Sequence, residues 1–395
     1  MRLLILHQAF VFGGAERTTS NLITHLDRRV VSHLTLAAPA ALRAHLPDRV
    51  DDFIETATLI RGGWFGQDPA DLELDVAATA RLLDQARPDL ALGMMHYGAA
   101  LVTFAAPRAE QPPRVVGSFR GPIFEYLRRY EPGAARQRDL RRLIGATARQ
   151  ADLILVPSRG TARDTLWRFG GWPWRVRVIP NGIDGDAVRA AAAEPFLGLS
   201  ALPPDLPLLC VAARLSIEKD LRHLIDAVRL LQDRHPCALV VVGDGPERAD
   251  LERRVAASGL AGRVFFVGHR VNVYPYMRRA DIYVHTCQFE GFGYTMLEAM
   301  ACGTPVVATD CPHGPREVLD GGRCGVLVRP GDSRALAAGI AGLLADPRRR
   351  ERLRQRGLER AESLSARRMA ERYLRAFESV LRRPARRPRR GTPRR

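Results

Sequence analysis

The stretch Phe289-Glu290-Gly291-Phe292-Gly293-Tyr294-Thr295-Met296-Leu297-Glu298-Ala299-Met300-Ala301-Cys302-Gly303-Thr304-Pro305 decides how the chain is read. An acidic residue closes a strand-like run, two glycines follow with one residue between them, and a helix-forming segment then carries Glu298, eight positions after Glu290. Glycine lets backbone come close to a ligand. The first N–H groups of a helix starting near Gly293 have no partner within the helix and point at whatever stands in front of it, which makes an anion site. Glu290 stands at its mouth and Glu298 lies between one and two turns into the helix. That layout suits a ligand with a phosphate and hydroxyls on both sides of it. Taken alone, Gly-x-Gly is also a common tight turn, and a pair of glutamates is also a solvated helix face. The continuation through Ala308, which reads as helix, glycine stop and short buried strand, favours the first reading.

With that continuation, the segment resembles the Glu-x7-Glu signature of retaining GT-B glycosyltransferases, the family-4 group of nucleotide-sugar-dependent enzymes. The resemblance implies that Glu290 lies by the donor sugar, that Gly291, Phe292 and Gly293 face its sugar and phosphates, and that Glu298 holds ribose hydroxyls. It covers the chain to about Leu381 and is strongest from Ala212 to Val328. The implied architecture is α/β: a GT-B fold with two Rossmann-like doubly wound domains facing an interdomain cleft. An acceptor-side domain is expected over 1–183 and a donor-binding domain over 184–365. A C-terminal helix, about 366–381, would return to the first domain, and an Arg/Pro-rich disordered tail would occupy 382–395.

Composition agrees with two domains. A chain of 395 residues suits two cores of about 150 to 200 residues each, and 46% hydrophobic with 26% charged residues is an ordinary globular balance. No run approaches the roughly 18 to 20 apolar residues of a membrane span. Leu3-Leu4-Ile5-Leu6-His7 is too short for a signal peptide and reads as a first buried strand. Six cysteines without Cys-x-x-Cys spacing read as reduced and buried, in a cytoplasmic protein. Of the net charge of +17, much sits in the last fourteen residues, which hold eight arginines and no acid. Such a tail binds anionic surfaces with little specificity, and coding bias explains it equally well. No specific nucleic-acid partner is expected.

The first half alternates strand and helix. Leu3 to His7 leads through Phe12-Gly13-Gly14 into a helix with Leu22, Ile23 and Leu26 on one face. The turn lacks the full Gly-x-Gly-x-x-Gly fingerprint, so a dinucleotide site is not expected; the resemblance makes Gly13 and Gly14 the residues that reach across the cleft toward donor or acceptor. Strands are expected at Val31 to Ala37, Leu90 to Met95, Arg114 to Ser118, Leu153 to Val156 and Val176 to Ile179. The loop Arg61 to Asp71, with Trp64 and Phe65, is expected on the acceptor side. His96 follows the strand Leu90 to Met95 and suits either an active-site or a structural histidine. Arg120 stands where many members of the family have histidine; an arginine there acts by charge or hydrogen bonding, not as a base.

Between Arg120 and Arg149 eight arginines face three acids, with Tyr126, Leu127, Tyr130, Leu140, Leu143 and Ile144 among them and a break at Pro132-Gly133. This suits either peripheral contact with an anionic membrane or a solvated helix face. Val178-Ile179-Pro180-Asn181-Gly182-Ile183-Asp184 ends the domain, and 190–207 reads as a linker.

The second half reads as a parallel doubly wound sheet, with ligands at the carboxyl ends of its strands. Arg214 follows the strand Leu208 to Ala213 and Lys219 comes five residues later. The resemblance makes this pair the clamp on the donor diphosphate, and a fork donor with a point charge suits that task. Gly268, with His269 and Arg270, is expected at the nucleotide base.

The reaction implied is transfer of a sugar from a nucleotide diphosphate donor, a UDP-sugar, to a hydroxyl of a glycan or lipid-linked acceptor in envelope or exopolysaccharide synthesis. Arg214, Lys219, Glu290, Arg120 and His96 are the expected catalytic set. Front-face displacement, with the departing phosphate oxygen taking the acceptor's proton, needs no protein nucleophile. No Asp-x-Asp metal-binding pair or histidine cluster appears where a divalent ion would bridge the phosphates, so no cofactor and metal independence are expected. The rivals are a non-catalytic binding protein for anionic polymer, and an epimerase or phosphorylase on the same fold. The sequence is silent on oligomeric state.

Overall fold

The computed structural model describes residues 1–8, 13–43, 45–61, 69–195 and 205–384. Phe12, the loop around Trp64, the middle of the 190–207 linker and the tail from 385 lie outside them. Two all-parallel sheets organise the chain. The first has seven strands: β1 (Arg2–His7), β2 (His33–Ala38), β3 (Asp52–Glu55), β4 (Leu90–Met94), β5 (Arg114–Ser118), β6 (Leu153–Val156) and β7 (Val176–Val178). Their order is β3-β2-β1-β4-β5-β6-β7. The second sheet uses β8 (Leu208–Ala212), β9 (Ala238–Val242), β10 (Val264–Gly268), β11 (Ile282–His285), β12 (Val306–Thr309) and β13 (Val326–Val328), in the order β10-β9-β8-β11-β12-β13. Each sheet is covered by helices on both faces. That is why its strands read as continuous apolar runs: in β1, Leu4 and Leu6 enter one core while Leu3 and Ile5 enter the core on the opposite face.

The expected strands are present with small shifts of boundary. β3 went unread because its residues Asp-Phe-Ile-Glu form a half-buried edge strand with neither the length nor the apolar run of the others. Ligands in such sheets sit where strand order reverses, here between β1 and β4 and between β8 and β11.

The chain passes between domains twice. Ile183 N–H donates to the Leu364 carbonyl at 2.9 Å and Ala366 N–H to the Ile183 carbonyl at 2.8 Å, so the two passages run side by side. Gly182 is required there, because a Cβ would lie 2.4 Å from the Ser365 carbonyl oxygen. The helix Ala366–Leu381 starts at this passage, capped by the Ser365 hydroxyl. Its Met369, Tyr373, Ala376, Phe377 and Val380, at helical spacing, are buried in the same core as Leu3, Ile5 and Leu92 of the first sheet.

Candidate active site in the interdomain cleft

The second-domain wall is built at the β8 and β11 ends. Gln288 N–H donates to the Glu218 carbonyl at 2.9 Å and the Thr286 hydroxyl to the Lys219 carbonyl at 2.8 Å, binding the loop after β8 to the loop before Glu290. This brings Lys219 Nζ to 2.9 Å from Glu290 Oε2. The other carboxylate oxygen accepts the Gly291 N–H at 2.9 Å. Burial would raise the Glu290 pKa, but Lys219 and His285 beside it prevail and hold it well below the usual carboxylate range. Burial opposes the charge on Lys219, and Cys287 and Glu290 outweigh it. The Glu290 carboxylate therefore takes an ammonium and a turn N–H, two groups suited to a phosphate.

Arg214 is exposed, its guanidinium 2.9 Å from Glu218 Oε1. Glu218 is buried, which would raise its pKa, yet Ser216, Tyr130 and Arg214 lower it to about 2. The fork is thus oriented by a fixed anion while much of it faces outward.

Gly293 has φ +96°, in the left-handed region, immediately before the helix Tyr294–Ala301. Gly291 has a different reason: a Cβ there would meet the Arg120 carbonyl oxygen of the other domain at 2.5 Å. This glycine permits domain contact as well as ligand approach. The Phe292 side chain is buried in the second-domain core, so at this position only backbone faces the turn. Gly268 has φ +72°, and the exposed Arg270 donates from Nε to the Tyr276 hydroxyl at 3.2 Å.

Glu298 is buried, 1% exposed, and pairs with Arg17 from the helix Gly14–His25 of the first domain. Tyr274 stands beside both, its hydroxyl 3.5 Å from Glu298. Burial raises the Glu298 pKa even against Arg17. Sequence reading missed Arg17, whose only signal was a charge three residues past the Gly13-Gly14 turn. Gly13 N–H donates to Glu16 Oε2 at 2.8 Å, and a Cβ on Gly14 would lie 3.3 Å from the Tyr294 ring. The start of this first helix therefore faces the start of the motif helix. Tyr294 ties them, its hydroxyl 3.2 Å from Thr18 Oγ1.

The first-domain wall is otherwise aromatic. On the helix Ile123–Tyr130, Tyr126 packs edge-on against Phe289, centroids 5.2 Å apart, and the Tyr130 hydroxyl donates to Glu218. Sequence reading left both tyrosines on either a membrane-facing surface or a solvated helix face; the structure turns them toward the other domain, because a charge pattern does not say which helix face meets a second domain.

Two expected site residues take structural positions. Arg120 is 8% exposed and donates to Ser118, Tyr373, Thr18 and Asn181. These lie on β5, the C-terminal helix, the first helix and the segment before the interdomain passage. Four of its five N–H groups are spent on the fold, so it replaces the histidine of the resembled pattern with a knot, not with a ligand-facing charge. His96 is 2% exposed and stacks on Phe119, centroids 4.3 Å apart. Burial pushes its pKa down to about 3, leaving a neutral ring.

One cluster was not visible in the sequence. His285 Nε2 lies 3.3 Å from Cys287 Sγ and 3.7 Å from Glu290 Oε2. Burial opposes protonation of the ring, yet the thiol and carboxylate prevail and raise its pKa to about 9.

Two parallel α/β domains arranged in this way form the GT-B fold, and comparison with known proteins agrees. Residues 12–187 match the model of Glycosyltransferase Family 4, and residues 199–360 that of Glycosyl transferases group 1. Together these place the chain among the family-4 glycosyltransferases. The lipopolysaccharide core biosynthesis glycosyltransferase LpsE of Rhizobium meliloti is 28% identical over 348 residues, 88% of this chain and 90% of that protein. The mannosyltransferase LpsB of the same organism is 36% identical over 218 residues, 52% of this chain and 61% of its own length. Among solved structures, Anabaena HepE in complex with UDP-glucose superposes with a TM-score of 0.78 at 22% identity, covering 96% of this chain and 100% of that one, which speaks to fold alone.

Proposed function

We propose that this glycosyltransferase moves a sugar from a UDP-sugar to a hydroxyl of a glycan or lipid-linked acceptor of envelope polysaccharide, with retention of configuration and without metal. The Lys219–Glu290 pair at the mouth of the motif helix, beside Arg214, carries the reading. A diphosphate supplies two anionic groups for Lys219, Arg214 and the N–H groups that open the helix, while Glu290, released from Lys219, is free to accept from a sugar hydroxyl. Glu298 accepts from ribose hydroxyls once they displace Arg17. The acceptor oxygen attacks the anomeric carbon as its bond to the phosphate breaks, and the departing phosphate oxygen takes the acceptor's proton. UDP and the glycoside leave. Catalysis is then mostly placement and stabilisation of charge on the leaving diphosphate. Anabaena HepE, solved with UDP-glucose, supports the choice of nucleotide, and the Rhizobium lipopolysaccharide enzymes support that of acceptor.

The first domain also bears three exposed tryptophans, Trp167, Trp172 and Trp174, the last two stacked with centroids 5.0 Å apart. Arg149, at the end of the basic helix Ala134–Gln150, donates to the Phe169 carbonyl next to them. Amphipathic rings beside arginines suit a headgroup layer, and favour a peripheral location on the inner face of the cytoplasmic membrane. No described helix is long and apolar enough to cross a membrane.

A thermal-shift panel of UDP-, GDP- and ADP-sugars, followed by assignment of the anomeric configuration of the product, tests the donor and the stereochemistry. Stabilisation by UDP-sugars and a retained configuration are expected; a response to GDP-sugars alone, or inversion, overturns the corresponding part. Full activity in excess chelator is expected, and loss restored by magnesium or manganese would contradict metal independence.

A further inference from the structure

His285, Cys287 and Glu290 form the one group of three metal-ligand side chains that converges among the described residues. Nε2 to Sγ is 3.3 Å, Sγ to Oε2 3.7 Å and Nε2 to Oε2 3.7 Å. Ligands around tetrahedral zinc, at the usual bond lengths to nitrogen, sulfur and oxygen, stand about 3.4 to 3.6 Å from one another. The three atoms thus already occupy the corners of one face of such a tetrahedron. His285 and Cys287 are buried, and His285 Nδ1 has no hydrogen-bond partner among the described residues, so the polar contacts of the ring all lie on the Nε2 side. Glu290 and Lys219 keep 21% and 22% of their side chains exposed, which leaves a way in.

From this geometry we infer an inhibitory site for a thiophilic divalent cation, zinc above all, formed by His285 Nε2, Cys287 Sγ and Glu290 Oε2. The thiolate selects zinc over magnesium or calcium, whose preferred ligands are oxygens. The cation takes the Glu290 oxygen that Lys219 holds in its absence; the ammonium moves off, and the protons on Nε2 and Sγ leave to solvent as the metal replaces them. The fourth position is left for water. Because Lys219 and Glu290 belong to the proposed donor site, the bound metal blocks sugar transfer. That consequence rests on the function proposed above, whereas the binding itself does not.

The test uses cobalt(II) as a spectroscopic stand-in on the full chain. One equivalent is expected to give a thiolate-to-cobalt charge-transfer band that zinc displaces. Cys287→Ser should abolish the band, and Glu290→Gln should keep it while weakening binding about tenfold or more; melting curves of both variants verify folding, and if Cys287→Ser does not fold, Glu290→Gln decides. In the transfer assay, low-micromolar zinc should inhibit, chelator should restore activity, and Cys287→Ser should need at least about tenfold more zinc for half-inhibition. Absence of the band, or a band unchanged in a folded Cys287→Ser variant, overturns the site. A band without inhibition by zinc overturns only its coupling to the donor site, and a chain without transfer activity is still judged by the cobalt titration.

Discussion

The two walls of the cleft do different work. The second-domain wall presents charge held ready by neighbours of its own domain: Lys219 by Glu290, and Arg214 by Glu218. The first-domain wall presents rings and knots, with Tyr126 and Tyr130 against the opposite wall and Arg120 and His96 drawn into the fold. Arg17 crosses with a charge and meets the buried Glu298, and from the other side the Glu317 carboxylate accepts the Arg159 and Gly160 N–H groups. On the function proposed above, one wall would hold a diphosphate and the other would close over it. Residues of the first should move turnover and nucleotide affinity, and those of the second should move stability and closure.

The largest expected effect is on Lys219→Ala, with turnover falling on the order of a hundredfold, the scale of one lost charge-stabilising donor. Steady-state kinetics on the folded variant check this, and near-normal turnover would break the comparison from the second-domain side. Glu298→Gln should weaken nucleotide binding about tenfold, read by calorimetry, since an amide replaces a charged acceptor for ribose hydroxyls. Arg120→Leu should cost about 2 to 4 kcal/mol of stability, because the hydroxyls and the amide it served are left buried without a donor. Its folded fraction should turn over within about threefold of the parent; a collapse of turnover at unchanged stability would restore Arg120 to the site.

A smaller effect is expected with pH. The His285 pKa is raised to about 9, above its value in the unfolded chain, so its charge stabilises the fold fully below about pH 6.5 and that contribution is lost as pH rises through 9. The melting temperature should fall by on the order of 5 °C between pH 7 and 9.5, and by less in His285→Gln. The smallest is Tyr130→Phe, which removes one donor to Glu218 and leaves Arg214 and Ser216 in place. A rise in the Michaelis constant of about two- to fivefold is expected, from the loss of one hydrogen bond.

The same contrast explains what could be read from sequence. The second-domain wall announces itself in local motifs, with strand ends, glycines and charges a few residues apart, as with Arg214 and Lys219 or Glu290 and Glu298, although the Lys219–Glu290 contact itself joins residues 71 apart. The first-domain wall is made by tertiary pairing. Arg120 meets Tyr373, 253 residues away, and no local pattern contains that. Tyr126 and Tyr130 share a helix with exposed arginines, and only the position of the second domain reveals which face is covered. His285, Cys287 and Glu290 lie close in sequence, yet their convergence depends on an extended turn after β11 that propensity does not announce. The all-parallel sheets were legible because both faces are covered, whereas the short edge strand β3 was not.

Calorimetric titration of UDP into the parent chain and into Lys219→Ala tests the diphosphate role of the second-domain wall most directly. The predicted result is saturable binding by the parent and affinity at least about tenfold weaker in the variant, the scale of one lost charge-assisted contact, with the melting temperature of the free protein showing that the variant is folded. Equal affinity in the two folded chains would contradict the account.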